Sequence, residues 1–122
     1  MKRNEIISKY YDAWVKKDIE LMKNVFSKNC VYVECFGEEY HGEEQILRWF
    51  SDWNQIGSIL EWCPKNFYED GNIVIVESFF RCITEKEFAC DAISVIHFNE
   101  EDRITEVREY WSKLEHHFPY GK

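Results

Sequence analysis

Between Ser58 and Lys113 four runs with the strand signature follow one another, separated only by short turn-forming stretches, and this succession limits the fold more than any other feature. The runs are Ser58 to Glu69, with Pro64 marking a bulge or an edge, then Ile73 to Thr84, Phe88 to Phe98 and Ile104 to Lys113. "DGN" joins the first pair, Glu85 and Lys86 turn the second, and the acidic "NEED" joins the last. Strands linked this closely pair antiparallel as a meander. A single sheet with one apolar face must then curl around other elements to bury it.

The first half of the chain supplies those elements. Ile6, Tyr10 and Trp14 recur at four-residue spacing with Ile7 and Tyr11 beside them, so a helix capped by Asn4 and ending at "KKD" is expected. Asp18 caps a second, short helix carrying Leu21, Met22, Val25 and Phe26. A strand over Val31 to Phe36 comes next. "HGEEQILRWFSDWNQIG" then places acids at a helix N-terminus, Ile46, Trp49, Phe50 and Trp53 on one side, and Gly57 as the stop. The expected class is α+β: three N-terminal helices packed on a curved, mostly antiparallel sheet, in one domain spanning residues 1–122.

Composition narrows the partners. Against 15 basic residues stand 23 acidic ones, a formal charge of -8, which argues against nucleic acid or an anionic membrane. The N-terminal "MKRNEIISKY" has no continuous apolar segment, and no later run approaches the roughly 20 apolar residues of a membrane span, so a cytoplasmic protein is expected. Five cysteines without a CxxC pair suit free thiols, and four scattered histidines give no ligand spacing, so neither a metal nor a cofactor is expected.

One strand raises a functional question. In "VYVECF" the two-residue period puts Tyr32, Glu34 and Phe36 on one face, leaving an acid between two aromatics.

The element order, together with "KYYDAWVKKDIELM", "VECFG" followed by "HGEEQI", and the closing "CDAISVIHF" and "RITEVREYWS", resembles the nuclear transport factor 2-like superfamily, in its SnoaL-like and ketosteroid isomerase branch. The likeness covers about Ile6 to Leu114. It implies a cone-shaped shell with a deep pocket between the helices and the curved sheet. In the isomerase a first-strand carboxylate moves a proton, while a tyrosine and a protonated aspartic acid hold the enolate oxygen. Carried over, the base falls on Glu34 and the tyrosine on Tyr10. The second donor falls on Ser94, where the isomerase has an acid. A serine hydroxyl is the weaker donor, so enolate stabilisation is expected to be reduced.

By the same register, the inward positions are Ile75, Glu77, Phe79 and Arg81 on the third strand from the end, and Val107, Glu109 and Trp111 on the last. Glu77, Ser94 and Glu109 would then form a row facing Glu34, with Arg81 one step along. Phe79, Trp53 and Trp111 would add aromatic lining. Such an inventory suits a small ligand with hydrogen-bonding or cationic groups. An alternative for Glu77 with Arg81 is a mutual salt bridge, at the pocket wall or on a wet face, and for Glu109 an exposed strand position beside Arg108 and Glu106. Cys82 and Cys90 are placed on opposite faces. Apolar residues on the outer face, Val74, Val76, Phe80, Ile93 and Val95, imply a homodimer through that surface.

Three functions fit these residues. One is an acid–base enzyme with Glu34 as general base and Tyr10 and Ser94 as donors, of isomerase, cyclase, dehydratase or hydrolase type. Another is a ligand-binding module without turnover. The last is a dimerisation scaffold whose pocket is incidental.

Overall fold

In the computed structural model, which describes residues 2–122, an N-terminal helical layer packs into the hollow of one curled six-stranded sheet. Helix α1 (Lys2–Lys16) presents Ile7, Tyr10, Tyr11 and Trp14 to the interior at the spacing of one helix face. Asn4 lies within its first turn and does not cap it. Helix α2 (Ile19–Met22) is capped as its sequence requires, with Asp18 Oδ1 accepting from the backbone N–H groups of Glu20 and Leu21 at 3.1 and 3.2 Å. Helix α3 (Glu43–Ile56) begins on Glu43 and Glu44, whose charges favour a helix N-terminus, buries Ile46 and Phe50, and stops at Gly57.

The strands are β1 (Phe26–Val33), β2 (Glu39–His41), β3 (Ser58–Asp70), β4 (Ile73–Ile83), β5 (Glu87–Phe98) and β6 (Ile104–Ser112), ordered β2-β1-β6-β5-β4-β3. The last four form the antiparallel meander. Strand β6 also pairs parallel with β1, the one parallel pairing among the described residues. The first strand differs from its expected bounds: it starts at Phe26 and ends at Val33, because Gly37 at φ +104° turns the chain back into the short β2. Glu34 N–H donates to Glu38 O at 2.8 Å within that turn. Bulges interrupt β3 between Ile59 and Glu61 and between Pro64 and Asn66, the second at the proline that lacks a ladder donor.

Register decides which side chains face the helices. In β5 and β6 the pairs Ser94↔Glu109, Ala92↔Trp111 and Ile96↔Val107 share the inner face. The β4–β5 pairs are Val76↔Ser94, Ser78↔Ala92 and Phe80↔Cys90, so the even-numbered residues of β4 point inward. This corrects the expected placement of Ile75, Glu77, Phe79 and Arg81. A turn of Glu85 and Lys86 alone would pair Thr84 with Glu87 and turn the odd positions inward. The observed loop has three residues, Thr84 to Lys86, and pairs Ile83 with Glu87. One residue in a turn exchanges the two faces of a strand. For the same reason Val74 and Val76 are core residues, and Cys82 and Cys90 lie on the same face as unbridged thiols.

A carboxyl pair in an aromatic cavity

The concave face of the sheet and the helices enclose a cavity of about 630 Å3. It follows from the sequence in two ways. Helices α1 and α3 bring Trp14, Trp49 and Trp53 together, with Trp14 edge-on to Trp49 and Trp53 at centroid distances of 4.8 and 6.0 Å. Facing them, the inward positions of the strands supply Tyr32, Trp62, Phe80 and Trp111. All five tryptophans of the chain line this space.

Glu109 is the polar centre. Tyr32 Oη donates to its Oε2 and Ser94 Oγ to its Oε1, both at 2.5 Å. Behind them stand further hydroxyls: Tyr10 Oη donates to Tyr32 Oη at 2.6 Å, and Tyr11 Oη lies 2.7 Å from Ser94 Oγ. Trp14 Nε1 donates to Tyr10 Oη at 3.1 Å. Because Ser94 spends its proton on Glu109, Tyr11 is the donor to Ser94 in this arrangement. Every hydroxyl in the cluster therefore points its proton toward one carboxylate. Burial nevertheless dominates and pushes the Glu109 carboxyl up to about 7; the Ser94 and Tyr32 bonds pull against this, and the Glu34 charge adds to the rise. Tyr10, Tyr11 and Tyr32 are driven above the ordinary tyrosine range, first by burial and then by the Glu109 charge.

Glu34 is the second acid in the wall. It follows the last residue of β1 with its side chain half-buried, and Tyr40 Oη donates to its Oε2 at 3.1 Å. Its carboxyl is raised chiefly by burial, with the Tyr40 bond opposing and the Glu38 charge assisting. Tyr40 in turn stacks on Trp49 at a centroid distance of 4.5 Å.

The residues expected at the site therefore separate into groups. Glu34, Glu109, Trp53 and Trp111 line the cavity. Ser94 and Tyr10 are fully buried behind the wall, bonded to Glu109 directly and through Tyr32 respectively. Glu77, Phe79 and Arg81 are not there. They stand on the outer face, where Glu77 accepts from Asn66 and Tyr68, and Arg81 is paired with Glu61 at 2.8 Å and Glu87 at 3.2 Å. The Glu77–Arg81 salt bridge is not formed either, since Arg81 pairs with Glu61 and Glu87 instead. With Arg81 outside, neither Glu34 nor Glu109 is paired with a cation among the described residues. Sequence reasoning missed Tyr32 as a bonding group and Tyr11 altogether. Tyr32 was visible only as an aromatic neighbour of Glu34, and Tyr11 as one more core residue of α1.

The SnoaL-like domain model matches residues 7–107, a span that runs from α1 into the strand carrying Glu109. The chain belongs to the SnoaL-like family. Solved structures with the same fold agree. A protein with a ketosteroid isomerase-like fold from Catenulispora acidiphila, in complex with trimethylamine, superposes with a TM-score of 0.79 at 20% identity, covering 90% of this chain and 86% of that one. A candidate SnoaL-like polyketide cyclase from Shewanella denitrificans gives 0.77 at 12% identity, over 90% of both chains. An LEH-like epoxide hydrolase from M. tuberculosis gives 0.80 at 16%, over 88% of this chain and 80% of that one. No curated protein matches the sequence. At these identities the structural matches establish the SnoaL-like α+β cone, while the chemistry rests on the side chains of this chain.

Proposed function

We propose that this SnoaL-like protein is a cofactor-free acid–base enzyme that moves a proton on a small molecule held in the cavity, with Glu109 carrying the proton and Glu34 as the second carboxyl. The observation that carries this reading is a carboxyl raised to about 7 in the wall of an aromatic cavity. Such a group is present in both protonation states near neutral pH, which suits either taking or giving a proton. Glu34, put forward by its sequence position as the base, assists from the other tyrosine-held site, and Tyr10 and Ser94 act through Tyr32 and Glu109. An isomerase, cyclase, dehydratase or hydrolase would each use such a pair. The fold relatives are consistent with small-molecule ligands, one of them holding a tertiary amine.

The test is exchange of α-protons in D2O, followed by NMR, for a panel of small ketones and β-diketones with wild type, Glu109→Gln and Glu34→Gln. Catalysed exchange that is lost in Glu109→Gln and weakened in Glu34→Gln supports the enzyme. A second reading, binding without turnover, is favoured by one feature: both oxygens of Glu109 already accept from protein hydroxyls. It predicts no exchange above the Glu109→Gln level for any member of the panel. The outer face, where Ile93 is 39% exposed, supports a homodimer as the assembled form.

A further inference from the structure

We infer that the cavity selects an organic cation, a small molecule with a tertiary or quaternary ammonium group on an apolar body; this rests on the reading of the cavity as the ligand site. Two independent features of the wall point the same way. The first is its aromatic character: eleven of the twenty-one lining residues carry aromatic rings. Ring faces are negative and attract a cation placed over them, most strongly for tryptophan. The second is the sign of its charges. The ionisable carboxyls in the wall are Glu34, Glu38, Asp52 and Glu109, and no Lys, Arg or His lines it among the described residues. In a chain with 15 lysines and arginines, that one-sided wall is a selective feature.

Ring and charge are also coupled locally. Glu109 is held by the hydroxyl of Tyr32 and Glu34 by that of Tyr40, and both tyrosine rings belong to the wall. Each of these carboxylates therefore sits beside an aromatic surface, the pairing that quaternary ammonium recognition uses. Tyr40 stacks on Trp49, which fixes the ring that holds Glu34. Among the described residues, only Asp52 of the four acids has a cation beside it, the exposed Arg48 at 3.9 Å. A neutral molecule of the same shape would gain the rings and nothing from the acids. An anion would meet repulsion from both.

The three cases are separated by tryptophan fluorescence, since all five indoles line the cavity. The probes are benzyltrimethylammonium, its uncharged carbon isostere neopentylbenzene, and benzenesulfonate. The expected result is binding of the cation at least tenfold tighter than the isostere, with no response to benzenesulfonate. The Glu34→Gln/Asp52→Asn protein should bind the cation several-fold more weakly and the isostere unchanged. If the isostere binds as tightly as the cation, or the double substitution leaves that preference intact, the cation inference is overturned while the cavity stands as a ligand site. If no probe perturbs the fluorescence of the folded protein, both the inference and the reading beneath it fall.

Discussion

Replacing Glu109 by Gln should make the protein more stable above neutral pH, and the size of the effect follows from the burial of the carboxyl. An ordinary glutamate titrates at 4.5, and Glu109 is pushed up to about 7. Below pH 4.5 both the folded and unfolded chains hold the proton, and the group is neutral to folding. Between 4.5 and 7 the unfolded chain releases it first, so stability falls as pH rises, and above 7 the loss is complete. At about 1.4 kcal/mol per pH unit the full loss is about 3 kcal/mol. That is a large part of the roughly 5–15 kcal/mol that holds a domain together. The groups facing Glu109 are Tyr10 and Tyr11 from α1, Tyr32 and Glu34 from the β1 side, and Ser94 from β5. The tyrosines stay neutral throughout this range, and Glu34→Gln as background removes the one other facing acid. Urea unfolding of wild type and Glu109→Gln at pH 5, 6, 7 and 8 provides the assay. With a slope of about 2 kcal/mol per M, and with part of the loss already incurred at pH 5, the difference between the two midpoints should shift by roughly 1.2 M across that range, in favour of the variant at high pH. Parallel curves would refute the claim that Glu109 is buried and raised.

Other outcomes follow from single contacts. Tyr32→Phe removes one donor from Glu109 and leaves the Tyr10 hydroxyl without its acceptor; it should cost about 1–3 kcal/mol and move the Glu109 midpoint above 7, read by 13C NMR of the glutamate carboxyls. Gly57→Ala should destabilise by about 1–3 kcal/mol in thermal unfolding, because the added methyl would meet Ile83 O at 2.7 Å and Thr84 Cγ2 at 2.8 Å, where backbone has to move. Wild type should sediment near 30 kDa, twice its 14.9 kDa, and Ile93→Asp on the outer face should sediment as a monomer; a monomeric wild type at micromolar concentration would remove the dimer.

The sequence made the elements legible because their signals are local. Asp18 and Gly57 mark helix ends by backbone chemistry that needs no tertiary partner, and Pro64 marks its bulge in the same way. The inner faces of β5 and β6 came from the resemblance, which set Ser94 and Glu109 inward, and the burial of Ser94, Ile96 and Phe98 agrees with that register. Strand β4 could not be read so, since Val74 to Ile83 offers apolar residues at both parities and only the length of the turn before β5 decides between them. The carboxyl centre was half legible. Glu34 stood out by its aromatic neighbours, whereas the importance of Glu109 depends on Tyr32 and Ser94, separated from it by 77 and 15 residues, closing on its two oxygens. No period within one strand encodes that meeting.

The cluster around Glu109 is polar in direction, and this bears on where a proton can reside. An indole N–H can only donate, so Trp14 fixes Tyr10 as an acceptor at its end of the chain. The single Tyr10 proton must then go to Tyr32, and that of Tyr32 to Glu109 Oε2. A proton placed on Oε2 in the Tyr32 bond would reverse this line and leave a Tyr10 hydroxyl facing an N–H, a buried donor with no acceptor. The other branch has no such stop. Ser94 and Tyr11 can each donate or accept, and the Ser78 hydroxyl, which accepts from Trp62 Nε1 at 3.1 Å and keeps a second lone pair, neighbours Tyr11. Protonation at Oε1 is therefore accommodated by turning the Ser94 hydroxyl toward Tyr11 and the Tyr11 hydroxyl toward Ser78. The two oxygens are thus unequal within the network: the Tyr32 bond to Oε2 runs in one direction, whereas the Ser94 bond to Oε1 can turn, so a proton held inside the network sits at Oε1.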